Sequence, residues 1–277
     1  SVAGASLRAL RVTGHRPGLP RILCCANIHG PELIGTEVAL GFGRALVDGI
    51  AAPLRDRAEV WLLPSLNPDG HARTFSTGGD AALSNLRPND RGVDLNRNYP
   101  LPGDRARRTY GLPGAGSNRP GDATYIGEHP LSEPETAALD ALAREQGFIA
   151  SANLHSFMGT VIPARVTDRP TYRAYGTLCR AFAQAQPHRR YRRVSNRIFD
   201  VFTGEQEDHQ HHNLDCWAVC VETFPILASL RQRMLGATTF WRFNPRQPEP
   251  WIENDVAGLV AYFDAALAMP RPSELPR

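Results

Sequence analysis

The feature that most constrains the fold is an alternation of two kinds of apolar segment. Residues 22–26, 60–63, 148–154 and 217–221 are short apolar runs bounded by polar or turn residues. Runs of this kind read as strands buried on both faces. Longer amphipathic stretches lie between them. The stretch 33–46 follows Pro31-Glu32, and proline is favoured in a first helical turn. Ser132-Glu133-Pro134-Glu135 predicts a helix start, with Ser132 as N-cap and carboxylates at the positive end of the dipole. That helix continues through Leu139 and Leu142, and two more are predicted over 172–185 and 255–267. Strand-helix alternation argues for an α/β fold, a largely parallel or mixed sheet with helices on both faces. The 277 residues contain no internal repeat or long linker, so residues 1–277 read as one domain.

Composition narrows the partners. A net charge of +3 over this length gives no warrant for a nucleic-acid or membrane partner. No stretch is long and apolar enough to span a bilayer. Cys216 and Cys220 lie roughly 13 Å apart along a predicted strand, too far for a disulfide. All five cysteines therefore read as reduced packing thiols, which favours the cytoplasm. A targeting segment removed before Ser1 stays open, as does the oligomeric state.

His29-Gly30-Pro31-Glu32 follows directly on the run 22–26. In open α/β sheets, ligands bind beyond the carboxyl ends of the strands. A His and a Glu three residues apart can address one ion where a strand turns into a helix. His155 ends another predicted strand and supplies a third ligand. Two histidines and one glutamate leave the fourth position of a tetrahedral zinc open, as in a catalytic rather than a structural site. Alone, the HxxE spacing is weak, and a histidine at a strand end is more often a hydrogen-bonded structural residue. The stretch 64–130 is rich in Gly, Pro, Asn and Asp and shows little periodicity. An irregular stretch of that length inside a compact domain reads as functional.

Within that stretch, Arg87-Pro88-Asn89-Asp90-Arg91-Gly92-Val93-Asp94-Leu95-Asn96-Arg97-Asn98-Tyr99-Pro100 resembles the substrate-binding signature of the zinc carboxypeptidase (carboxypeptidase A/B-like) family. The Asn67-Pro68-Asp69-Gly70 turn, Tyr125-Ile126-Gly127 and Ser132-Glu133-Pro134-Glu135-Thr136 are similar to that family too, and in family order. The short chain and the run 86–100 look most like the bacterial murein peptide amidase branch, which cleaves the γ-D-glutamyl-diaminopimelate bond. The resemblance implies a three-layer α/β/α sandwich around a mixed, mostly parallel, eight-stranded sheet. It implies one Zn2+ per chain on His29, Glu32 and His155, with Glu222 as general base and Arg87 stabilising the oxyanion. Asn96 and Arg97 would bind the free carboxylate of the leaving residue, a task suited to the planar fork of Arg. The substrate implied is a peptide or small peptide-like molecule.

Departures from the family pattern follow. Where many members carry a mobile tyrosine, this chain has Phe199, so the phenol is missing from the substrate contacts or Tyr191 serves from a shifted loop. Gln206 is the best match to the residue at the floor of the specificity pocket. Glu205, Glu207 and Asp208 make its surroundings acidic, which would suit a cationic leaving residue. Asp208, His209, His211 and His212 read as a solvated polar loop rather than a second metal site. The basic run 188–193 reads as solvated surface. His71 and His129 have no role in this reading. The rival activity is that of a zinc deacylase of N-acyl amino acids, as in the desuccinylase and aspartoacylase group, which generally lacks the full motif set present here. A non-catalytic binding module of the same fold would have lost a ligand or the base, and none is lost.

Overall fold

The computed structural model describes residues 1–14, 16–102, 114–195, 202–234 and 238–275. The strands are β1 (Leu10–Val12), β2 (Arg21–Ala26), β3 (Glu59–Leu63), β4 (Ala150–Ser156), β5 (Thr160–Pro163), β6 (Arg192–Arg193) and β7 (Trp217–Thr223). They form one sheet in the order β1-β3-β2-β4-β7-β5-β6. The central β3-β2-β4-β7 block is parallel, whereas β1 joins β3 and β5 joins β7 antiparallel. The mixed sheet is as expected, but it has seven strands among the described residues rather than eight. Its edges are reduced to three residues in β1 and two in β6. Short edge strands of this kind limit pairing with other chains.

Strand periodicity explains the layers. In β4, Ala150, Ala152 and Leu154 enter one apolar core together with Ile22, Cys24, Ala26, Trp217, Val219 and Val221. Helices α1 (Ile34–Val47), α6 (Arg169–Ala185) and α10 (Glu249–Leu267), with Leu54 of the short α2 (Ala52–Arg55), close that core, and Phe42 of α1 is stacked on Phe263 of α10 at 5.7 Å; α8 (Ile226–Met234) and α9 (Thr239–Phe243) lie between β7 and α10 in sequence. The opposite residues, Leu23 and Cys25, join Tyr99, Leu139 and Phe148 in a second core. That layer is covered by α5 (Pro134–Gln146) and α7 (Gln206–Leu214). In β4 the same alternation sends Ser151, Asn153 and His155 away from the first core, which brings polar chemistry to the sheet.

Two predicted loops are helical. The stretch expected to be irregular holds α3 (Pro68–Ser76), α4 (Leu83–Leu86) and a 3-10 turn at Leu95–Arg97. Asn67 caps α3, its side chain accepting from Gly70 N at 2.8 Å. The histidine cluster is α7, where His209 and His211 are buried rather than solvated. Both buried histidines are met by protein: His209 pairs with Asp140 at 2.7 Å, and His211 with the Tyr175 hydroxyl at 2.9 Å. At α5 the N-cap is Glu133, with no side-chain cap, rather than Ser132. The Ser132 hydroxyl instead donates to Glu133 and accepts from Asn98 Nδ2. Among the described residues no helix is long and apolar enough to cross a membrane, and all five cysteines are buried free thiols.

Candidate metal centre and cleft

The chain leaves β2 through Asn27, whose φ of 53° turns it sharply. Asn27 Nδ2 donates to the carbonyls of His29 and Gly30 and fixes that turn. A Cβ on Gly30 would collide with the carbonyl oxygens of Leu86 and Gly70, so only glycine fits there. This close approach couples the turn that presents His29 and Glu32 to the segment that delivers Arg87, through Gly30 N to Arg87 O.

His29 Nδ1 lies 2.9 Å from Glu32 Oε1, and His155 Nδ1 lies 3.0 Å from Glu32 Oε2. All three residues are buried, and one ligand atom from each falls within 4.8 Å of the others. The far ring nitrogens are also held. His29 Nε2 faces Asp94 Oδ1 at 3.0 Å, and His155 Nε2 faces the Asn153 amide at 2.8 Å. Asn153 Oδ1 is buried with no partner, so turning that amide over gives the His155 Nε2–H an acceptor. Both rings then direct an Nδ1 lone pair at a carboxylate. Lone pairs facing a carboxylate repel unless a cation lies between them, and two imidazoles plus one carboxylate suit zinc. The residues present therefore fit the metal.

The electrostatics agree with that fit. Burial alone would raise the Glu32 carboxyl, but positive charge on His29 and His155, acting as a cation between them would, outweighs it and holds the group well below the usual range. Burial lowers His155, which keeps its ring neutral and able to ligate. Asp94 is fully buried; the penalty of burial is overcome by Arg87 and His29, and its carboxyl too is held down.

Glu222 stands opposite His155 in the β4–β7 register. Its Oε2 is buried and unpartnered. Burial, and then the charge of Glu32, push its carboxyl up to about 8, with Arg87 opposing. Arg87 donates through Nε to Asp94 Oδ2 at 2.9 Å and places Nη1 3.8 Å from Glu32 Oε1. Those carboxylates keep its guanidinium charged despite burial.

Asn96 and Arg97 lie on the 3-10 turn, which Asp94 caps. Asn96 Oδ1 accepts from Gln206 N at 2.8 Å. Arg97 is engaged: Nη2 donates to Gly114 O at 2.8 Å, Nη1 lies 3.5 Å from Glu205 Oε1, and Phe202 packs beneath it. The Gln206 side chain faces Cys25, in the second core. Its neighbour Glu207 is buried with Oε2 unpartnered, and burial, then Glu205 and Asp208, hold its carboxyl well above the usual range. Phe199 lies outside the described residues. Tyr191 cannot stand in for it: it is packed in the first core, its hydroxyl bonded to Asp255.

Asp94 and Asn153 were not among the site residues expected from the sequence, and Glu205 and Glu207 were expected only as acidic surroundings of the pocket. Asp94 sits inside the quoted motif and Asn153 two residues before His155 on the same strand face, so strand periodicity could have found the second. Nothing local marks the pairing of Glu205 with Arg97 or the burial of Glu207.

An α/β sheet with a candidate metal centre at the carboxyl ends of adjacent parallel strands places the chain among metal-site α/β proteins. The zinc carboxypeptidase family model matches residues 1–227, and the chain belongs to that family. Carboxypeptidase D of Homo sapiens is 32% identical over 175 residues, which cover 58% of this chain and 11% of that protein. Carboxypeptidase M of Mus musculus is 31% identical over 187 residues, 64% of this chain and 36% of that one. The chain thus spans a minor part of these relatives' length. Among solved structures, carboxypeptidase A from Helicoverpa armigera superposes with a TM-score of 0.74 at 19% identity, covering 97% of this chain and 67% of that one. The murein-tripeptide amidase MpaA from Escherichia coli O157 gives 0.51 at 23% identity, covering 89% and 91%. Likenesses at these identities speak for the fold alone.

Proposed function

We propose that the chain is a zinc-dependent exopeptidase or amidase that hydrolyses the amide bond before a residue with a free carboxylate. The observation that carries this reading is the convergence of three ligand atoms beside a carboxylate with an unpartnered oxygen, Glu222, on the adjacent strand. His29, Glu32 and His155 would hold one zinc, which supplies a Lewis acid and lowers the pKa of water. Glu222 takes a proton from the attacking water and delivers it to the leaving nitrogen. A carboxyl raised by burial suits both halves of that transfer. Arg87, fixed by Asp94, offers charge to the oxygen that turns anionic. Asn96 and Arg97 would meet the terminal carboxylate, which would take the place of Glu205 at the Arg97 guanidinium.

Glu207 supports a finer reading. A buried carboxyl with an unpartnered oxygen, kept neutral by burial, would ionise against a cationic group brought opposite it, and the far amine of diaminopimelate in a murein peptide is one such group. Equal turnover of peptides ending in diaminopimelate, Lys, Leu and Glu would sink this preference.

The test is metal content with hydrolysis of L-Ala-γ-D-Glu-diaminopimelate, a panel of C-terminal dipeptides and acetyl-amino acids. Zinc near one per chain and peptide turnover lost in Glu222→Gln is the expected result. Turnover of the acyl-amino acids alone would favour the deacylase, and absence of bound zinc would overturn the reading.

A further inference from the structure

Phe224, two residues beyond Glu222, has a φ of 70°, in the left-handed region that a bulky side chain rarely adopts. A residue there persists only where its surroundings hold it. The holder is a buried polar relay built from α10. Asn254 and Asp255 of that helix are fully buried. Asn254 Oδ1 accepts from His188 N and Arg189 N, and Asp255 Oδ1 accepts from Gln186 Nε2 at 3.0 Å. Gln186 Oε1 in turn accepts from Tyr191 N at 2.7 Å. The Tyr191 hydroxyl donates to Asp255 Oδ2 at 3.3 Å and accepts from Phe224 N at 3.2 Å. Trp251, also on α10, packs edge-on against the Phe224 ring at 5.6 Å. On the other side, Gly159 N donates to Glu222 O at 2.7 Å.

We propose that Tyr191 and Asp255 are positioning residues for Glu222: they pin the backbone just beyond it in the left-handed turn, and so set where its carboxylate stands across from His155. Alternation along β7 makes this possible. Glu222 faces the cleft, while Thr223 faces the layer of α10. The relay reaches the base from behind the sheet and touches neither metal ligand nor substrate. The inference rests on the functional reading above as regards Glu222.

The test compares Tyr191→Phe with Tyr262→Phe. The Tyr262 hydroxyl donates to Ser151 O and Trp217 O at the other end of the same two strands, so its loss controls for general destabilisation. Tyr191→Phe is expected to lower kcat roughly ten- to a hundredfold with KM and zinc content unchanged. Tyr262→Phe should leave kcat unaltered. In a Glu222→Gln background, Tyr191→Phe should cause no further loss. An unchanged kcat, an equal loss in Tyr262→Phe, or the same loss in the Glu222→Gln background would overturn the proposal. Amide exchange at Phe224 gives a readout free of activity: it should quicken in Tyr191→Phe and not in Tyr262→Phe. If the wild type turned over no substrate, the functional reading would fail, while unaltered exchange at Phe224 would overturn the relay itself.

Discussion

Asp94 ties three functions to one side chain. It orients His29, holds Arg87 and caps the turn that carries Asn96 and Arg97. Asp94→Asn can no longer accept at both oxygens, and the His29 tautomer loses its anchor. Zinc affinity is expected to fall by roughly 10–100-fold, read by competition with a chromogenic chelator. Glu222→Gln should leave zinc binding intact and lower kcat by roughly 10²–10⁴. Glu205 illustrates a different kind of control. Its carboxylate sits 3.5 Å from the guanidinium that the proposed function assigns to the substrate carboxylate, and on that proposal it would compete with substrate. Glu205→Gln should therefore lower KM for peptides with a free C-terminus and leave C-terminal amides unaffected. A raised KM would mean that Glu205 organises Arg97 rather than competing for it. The ligand triad was legible because each member ends a readable strand or follows one. The acidity around Glu205 and Glu207 was legible too, but not the pairing of Glu205 with Arg97, 108 positions away, nor the burial of Glu207, which packing sets.

Helix α7 shows why polarity alone misleads at the level of an element. Its sequence, Gln206 to Leu214, has almost no apolar stripe, and water was the obvious partner for its histidines. The tertiary structure supplies other partners. His209 stacks on Tyr99 at 5.5 Å and bonds to Asp140 of α5, while His212 Nε2 bonds to Arg165 O. Removing one partner of a buried polar pair leaves the other unsatisfied. Asp140→Ala is accordingly expected to destabilise the fold by roughly 1–3 kcal/mol in urea titration. Because the N-terminus of α7 is bonded to Asn96, the same change should also raise KM. The strand and helix positions of the first core were easier to read. Their periodicity of two in β4 and β7 and their apolar spacing in α1 and α10 follow from local geometry.

Across the whole molecule, stability is linked to pH and to metal. Asp255 is fully buried, and burial raises its carboxyl to about 6 from 3.8. The folded state thus binds this proton more tightly than the unfolded chain does. Its contribution is greatest below about pH 4 and is lost as pH rises through 6, an effect of about 3 kcal/mol. Asp255→Asn should flatten the pH dependence of unfolding free energy across that window; a parallel curve would contradict it. A zinc held by His29, Glu32 and His155 would bind only the folded arrangement of these residues, far apart in sequence, so added zinc should raise Tm and a chelator should lower it. What the sequence determined by itself was the layered α/β architecture, the carboxyl-end position of the histidines and glutamate, and the reduced state of the thiols. These depend on periodicity, chain direction and spacing, which are local. Only the tertiary structure decided the seven strands of the sheet among the described residues, the burial of α7, the pairing of Arg97 with Glu205 and the relay from α10 to Phe224. Each of those depends on which distant groups burial brings together, and burial is a property of the packed chain rather than of any segment of it.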